Sequence, residues 1–314
     1  MNCALRLRET RMTRGASLLL LAVLGLTACS PGGKPAAGTA SAGGAPADEG
    51  PRIVMSDDLV HLEYRVLGRG EPAVLLVHGW CGNAEYWRAQ IDDLKSRYTV
   101  VALDLAGHGA SGSNRTDWSI ANYAADVATV ARQIPNTHLV LVGHSMGADV
   151  ALAAVPRIGP RVIGVIAVDA LRSVGMPPLS TAEIEAKVEP FRADFVGATR
   201  TLVTEQLFEK GADPLLVQKV AYDMSLRSPA VAIPTLARLL SFDLATVLPS
   251  VHVPVYAINS DLLPTDGDRI RKSLPGFTLD VLPHSGHFLM LEAPERFNPL
   301  LTRDIDALAA RAGH

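Results

Sequence analysis

The chain has 314 residues, 48% of them hydrophobic and 19% charged, with a formal net charge of −3. Such a composition belongs to a globular protein with ample length for a large core. It supplies neither the basic field that nucleic acid demands nor an acidic tail, so no nucleic-acid partner is expected. Three cysteines are too few for a disulfide framework. Past residue 30, no apolar run approaches the roughly 18 residues that a membrane span requires.

The first 28 residues read as an export signal. Arg6, Arg8, Arg11 and Arg14 form a basic region, and ASLLLLAVLGLTA follows as a short apolar one. The apolar run ends Leu26-Thr27-Ala28-Cys29, which resembles the lipobox of bacterial lipoproteins. In that family the signal is cut before the cysteine, whose sulfur carries a diacylglyceryl group. The resemblance implies lipidation at Cys29, a membrane partner held through the lipid anchor, and a cell-envelope location. With Ser30 next in line, it points to the outer membrane facing the periplasm. After Cys29, residues up to 50 are almost all Gly, Ala, Pro and Ser, a composition that cannot bury enough surface to offset its ordering entropy and reads as a flexible tether over residues 29–50.

Residues 51–314 form the folded body. IVMSDDLVHLEYRVLG suggests a β-hairpin. AVLLVH, VVALDL, LVLVGH and VIGVIAVD are near-continuous apolar runs, as expected of strands covered on both faces. Amphipathic stretches lie between them: AEYWRAQIDDLKS, then SIANYAADVATVARQI. VPVYAIN and FTLDVL follow, and a last helix puts Phe297, Leu301, Ile305 and Leu308 on one face. The alternation predicts an α/β fold with a mostly parallel sheet flanked by helices. Residues 171–250 show no clear strand, many helix formers, and breaks at Pro177-Pro178, Pro190, Pro214, Pro229 and Pro234. They read as a helical lid inserted after the sixth strand.

The stretch Gly143-His144-Ser145-Met146-Gly147 follows the strand LVLV and precedes the helical pattern ADVALAAV. A strand that turns straight into a helix brings the backbone at the two flanking positions too close for side chains. The residue between them is strained so that its hydroxyl is lifted clear of the sheet. Four motifs in order, LLVHGW, DLAGHGASG, GHSMG and SGHFLMLEAPERF, resemble those of the α/β-hydrolase family. The resemblance is to its lid-bearing group of carboxylesterases, C–C hydrolases and haloperoxidase-like proteins, and it covers the chain from about Arg52 onward.

Within that resemblance Ser145 is the nucleophile and His287 the base. His287 is preferred to His284, which lacks a preceding Gly. The acid stays open. It should follow the strand VPVYAIN, where Asp261 is the first choice and Asp266 an alternative that also suits a helix cap; Asp169, ending the previous strand, is the other alternative. The backbone N–H groups of Met146 and Trp80 are the expected oxyanion donors. His78, His108 and His144 read as packing residues, Asp104 as a loop brace and Cys81 as a small buried residue. No His, Cys and carboxylate cluster has metal spacing and no Gly-rich loop resembles a nucleotide site, so no cofactor is expected. The implied activity is hydrolysis of a carboxylic ester or related acyl bond on a small hydrophobic acyl substrate. Acyl transfer or perhydrolysis on the same residues, or a binding protein with a degraded site, are the rival readings.

Overall fold

The computed structural model describes residues 50–313; the expected signal, Cys29 and the tether lie outside them. The chain begins with β1 (Arg52–Met55) and β2 (His61–Leu67), the expected hairpin. Then come β3 (Ala73–Val77), α1 (Arg88–Leu94), β4 (Thr99–Leu103), α2 (Ile120–Arg132), β5 (Leu139–His144), α3 (Met146–Ile158) and β6 (Val162–Val168). Four helices, α4 (Thr181–Ala193), α5 (Phe195–Leu202), α6 (Pro214–Ser225) and α7 (Pro229–Leu240), separate β6 from β7 (Val255–Ser260). The body closes with α8 (Gly267–Ser273), β8 (Thr278–Leu282), α9 (Leu289–Glu292) and α10 (Pro294–Ala312).

The sheet has eight strands in the order β1-β2-β4-β3-β5-β6-β7-β8. β2 pairs antiparallel with both of its neighbours, and every other pairing is parallel. Every residue of β3, β4, β5 and β7 is buried. Their unbroken apolar runs are therefore explained by helices on both faces. Parallel pairing also brings the carboxyl ends of β3, β5 and β6 to one edge, where loops can assemble a site. On the way there, α10 lays Phe297, Leu301, Ile305 and Leu308 into the core as its sequence pattern requires.

The interval after β6 is helical, as expected, but the prolines do not all break it. Pro214 and Pro229 open α6 and α7, where the missing N–H has no helical partner to lose. Pro190 sits in the last turns of α4 and Pro234 inside α7. Each removes one helical hydrogen bond without ending its helix, a correction to their reading as breaks. The start of α4 is set by Ser180 and Glu183, whose side chains and backbone amides cap each other reciprocally.

Phe297 is completely enclosed, so Phe297→Ala should leave a cavity. We expect about 3–5 kcal/mol of lost stability, read as a lower midpoint with unchanged slope in urea unfolding.

Candidate active site

The turn from β5 into α3 is a close crossing of backbone. Ser145 has φ 52° and ψ −122°, a region that non-glycine residues rarely adopt. A Cβ on Gly143 would lie 2.2 Å from the Gly147 carbonyl oxygen, and one on Gly147 would lie 2.4 Å from that of Val77. Neither position can carry a side chain. Gly79 presses on the turn from the other side, its Cα direction pointing at the Ser145 Cβ, 3.1 Å from where a Cβ would stand. The loop after β3 is therefore in contact with the serine. Among the described residues, neither its Trp80 amide nor the Met146 amide at the start of α3 donates to an acceptor.

Ser145 is half-buried, so its hydroxyl is reachable from solvent. The next ring in the site belongs to His144. Its Nε2 donates to the His287 carbonyl at 2.9 Å, and the two imidazoles lie 4.6 Å apart between centroids. Burial, with the nearby His287 ring adding to it, pushes the His144 pKa down to about 3. It is a neutral strut connecting the serine turn to the histidine loop, more than the packing residue expected.

His287 sits on the loop between β8 and α9. Its amide donates to the Leu207 carbonyl in the lid at 2.7 Å. Glu292 accepts from the amides of Gly286 and Phe288, on either side of it. The loop is thus held from three directions before the side chain is considered. His284 projects outward, highly exposed, with Nδ1 3.7 Å from Glu209.

The carboxylate on the His287 ring is that of Asp169. Nδ1 stands 2.6 Å from its Oδ2. Burial raises the Asp169 pKa, but hydrogen bonds from His287 and Arg172 outweigh it and hold the carboxyl well below the usual range. Asp261 does not approach the ring. It is exposed and accepts the backbone amides of His284 and Ser285 at 3.0 and 3.4 Å. The geometry thus sets Asp169, one of the alternatives in the sequence, and not the first choice Asp261, against the imidazole. β6 and β7 are adjacent parallel strands, so both carboxylates emerge at the same edge, but the Asp169 backbone turns at φ 47° and points its side chain at the imidazole. Asp266 takes up its other reading: it caps α8 by accepting the Arg269 amide at 2.9 Å.

The remaining motif residues brace the site. Asp104 accepts the amides of Ala84 and Ala110. The His78 Nδ1–H donates to the Gly79 carbonyl while Nε2 accepts from the Leu105 amide, and burial first of all keeps the ring neutral, with a pKa of about 4. Cys81 is buried at φ 58°, and its carbonyl accepts from Arg227 Nε of the lid. The Trp80 indole lies edge-on against Phe191 of α4 and donates to the Ala232 carbonyl of α7. Sequence reasoning passed over Arg172 and the bracing role of Glu292. The i,i+3 spacing of Arg172 from Asp169 was the available cue.

Residues 74–300 match the model of a family described as the alpha/beta hydrolase family, and the chain belongs to it. It is similar to the 2-(acetamidomethylene)succinate hydrolase of Mesorhizobium japonicum, 26% identical over 79% of this chain and 92% of that protein. It is also similar to a putative non-heme chloroperoxidase of Synechocystis, 25% identical over 77% of this chain and 94% of that one. An esterase from Exiguobacterium antarcticum has the same fold, with a TM-score of 0.73, 22% identity, and coverage of 81% and 98%. The protein is an enzyme of the α/β-hydrolase class.

Gly147→Ala should force the serine turn away from the loop after β3, because a methyl there meets backbone that cannot swing aside. We expect a loss on the order of 100-fold in kcat/KM, the cost of about 1 Å of misplacement, with a lowered Tm in the same preparation.

Proposed function

We propose that the protein is a serine hydrolase of carboxylic esters or related acyl bonds, working through Ser145, His287 and Asp169. The observation that carries this reading is the 2.6 Å contact of Asp169 with His287 Nδ1 beside a strained serine turn. With its Nδ1 proton committed to Asp169, the ring has Nε2 free as a base. Ser145 Oγ attacks the acyl carbonyl as Nε2 takes the hydroxyl proton. The Trp80 and Met146 amides receive the oxyanion, each donor lowering the barrier by about 3 kcal/mol. The imidazolium then protonates the departing alcohol. Water, deprotonated by the same nitrogen, attacks the acyl-enzyme carbonyl. The imidazolium returns that proton to Ser145 Oγ as the ester bond to the serine breaks and the carboxylic acid leaves. The apolar lid residues around Trp80 favour a small hydrophobic acyl group.

Two experiments test this. A fluorophosphonate probe should label the wild type and spare Ser145→Ala; absence of labelling where a control esterase reacts would refute the serine mechanism. On p-nitrophenyl butyrate, Asp169→Asn should lower kcat by about 10⁴-fold, while Asp261→Asn stays within a few fold. The reverse ranking would return the acid role to Asp261.

We further propose that Cys29 carries a lipid that tethers the enzyme to the membrane, supported by the basic and apolar leader and the residues that follow it. One acyl chain binds reversibly and stable anchoring takes more than one, as a diacylglyceryl cysteine provides. The wild type should partition with membranes in its native host, and Cys29→Ser should shift the protein to the soluble fraction or leave an uncleaved precursor. A cleaved, mature-size Cys29→Ser protein whose membrane fraction is unchanged would rule out lipidation there.

A further inference from the structure

We infer that Arg172 is a positioning residue for His287, acting through Asp169: its two-pronged grip fixes the plane of the carboxylate and the face it offers the ring. This rests on the catalytic reading above.

The Asp169 side chain is only 3% exposed, and both its oxygens are fully engaged. Oδ1 accepts the Ser260 amide at 2.7 Å and Arg172 Nη2 at 2.7 Å. Oδ2 accepts Arg172 Nη1 at 3.0 Å and stands 2.6 Å from His287 Nδ1. The guanidinium thus takes the carboxylate in a two-pronged grip, which fixes its plane as a single ammonium could not. The guanidinium is itself held. Nε donates to the Leu263 carbonyl, Nη2 reaches the Ser260 carbonyl and hydroxyl, and Arg269 of α8 donates to the Arg172 carbonyl. The loop after β7 thereby orients the acid even though its own Asp261 does not serve as one.

The electrostatic consequence has a definite sign. A lone carboxylate on Nδ1 favours the protonated ring. Here Arg172 shares Oδ2 with the ring, so an imidazolium would face an ion pair and not a bare negative charge. The other groups facing the ring are the neutral His144 from β5 and Glu292 from α9, whose carboxylate is occupied by two loop amides; Glu209 and His284 lie further out. Among these, Arg172 is the cation that meets the ring on a common oxygen.

The test is the pH profile of kcat/KM for the full chain on p-nitrophenyl butyrate, with active sites counted by fluorophosphonate titration. Arg172→Gln should move the acid limb up by about one pH unit and lower kcat on the order of 10- to 100-fold as Asp169 loses its fixed plane. Arg172→Lys should keep the limb near its wild-type position, because the charge remains, while still losing kcat. A Gln variant that folds, labels and keeps the wild-type limb would overturn the inference. So would a Lys variant whose limb moves as far as the Gln variant's is expected to, which decides the matter if Arg172→Gln does not fold. Labelling of the wild type in the same series separates the two claims: a labelled wild type with an unmoved limb counts against Arg172 alone, and an unlabelled one removes the catalytic reading and this inference together.

Discussion

The site depends on one close crossing of backbone, where the end of β5 passes into the start of α3. Gly143 and Gly147 meet there with no room for a methyl, and the Gly79 backbone packs against the same turn. The turn leaves Ser145 at a positive φ, a strained conformation that persists only because its surroundings over-determine it. The parallel sheet supplies that surrounding rigidity. β3 and β5 are paired residue by residue up to Val77 and Gly143, so the loop after β3 and the turn after β5 leave the sheet side by side. The amides of Trp80 and Met146 follow from that pairing.

The lid is part of the same arrangement. Leu207 holds the His287 amide, Ala232 receives the Trp80 indole, and Arg227 holds the carbonyl of Cys81. Each contact ties a residue of the interval after β6 to one of the loops bearing the proposed catalytic groups. A displacement of that interval would therefore disturb the histidine loop and the loop after β3 together.

The acid shows where reading along the chain reaches its limit. Asp169 stands just after β6 and Asp261 and Asp266 follow β7, and the family's position after the strand VPVYAIN favoured Asp261. What separated them was backbone direction at the strand ends. A positive φ at Asp169 turns its carboxylate inward, while Asp261 is taken up by the amides of the histidine loop and Asp266 by the first turn of α8. Arg172 escaped notice for the same reason. Its partners Ser260 and Leu263 lie about ninety residues away in sequence, and only the pairing of β6 with β7 brings them together.

Local pattern by itself determined the strands, the main helices, the serine turn and the helical character of residues 171–250, while the histidine loop was legible through its resemblance to the family. Where pattern decided, the cause lies within a few neighbouring residues: apolar periodicity, capping pairs, or glycines at a forced crossing. The tertiary structure alone decided which carboxylate meets the imidazole, that Pro190 and Pro234 are carried inside helices, and that His144 acts as a strut between two loops. Those outcomes depend on distances between segments remote in the chain, fixed by strand pairing and lid packing.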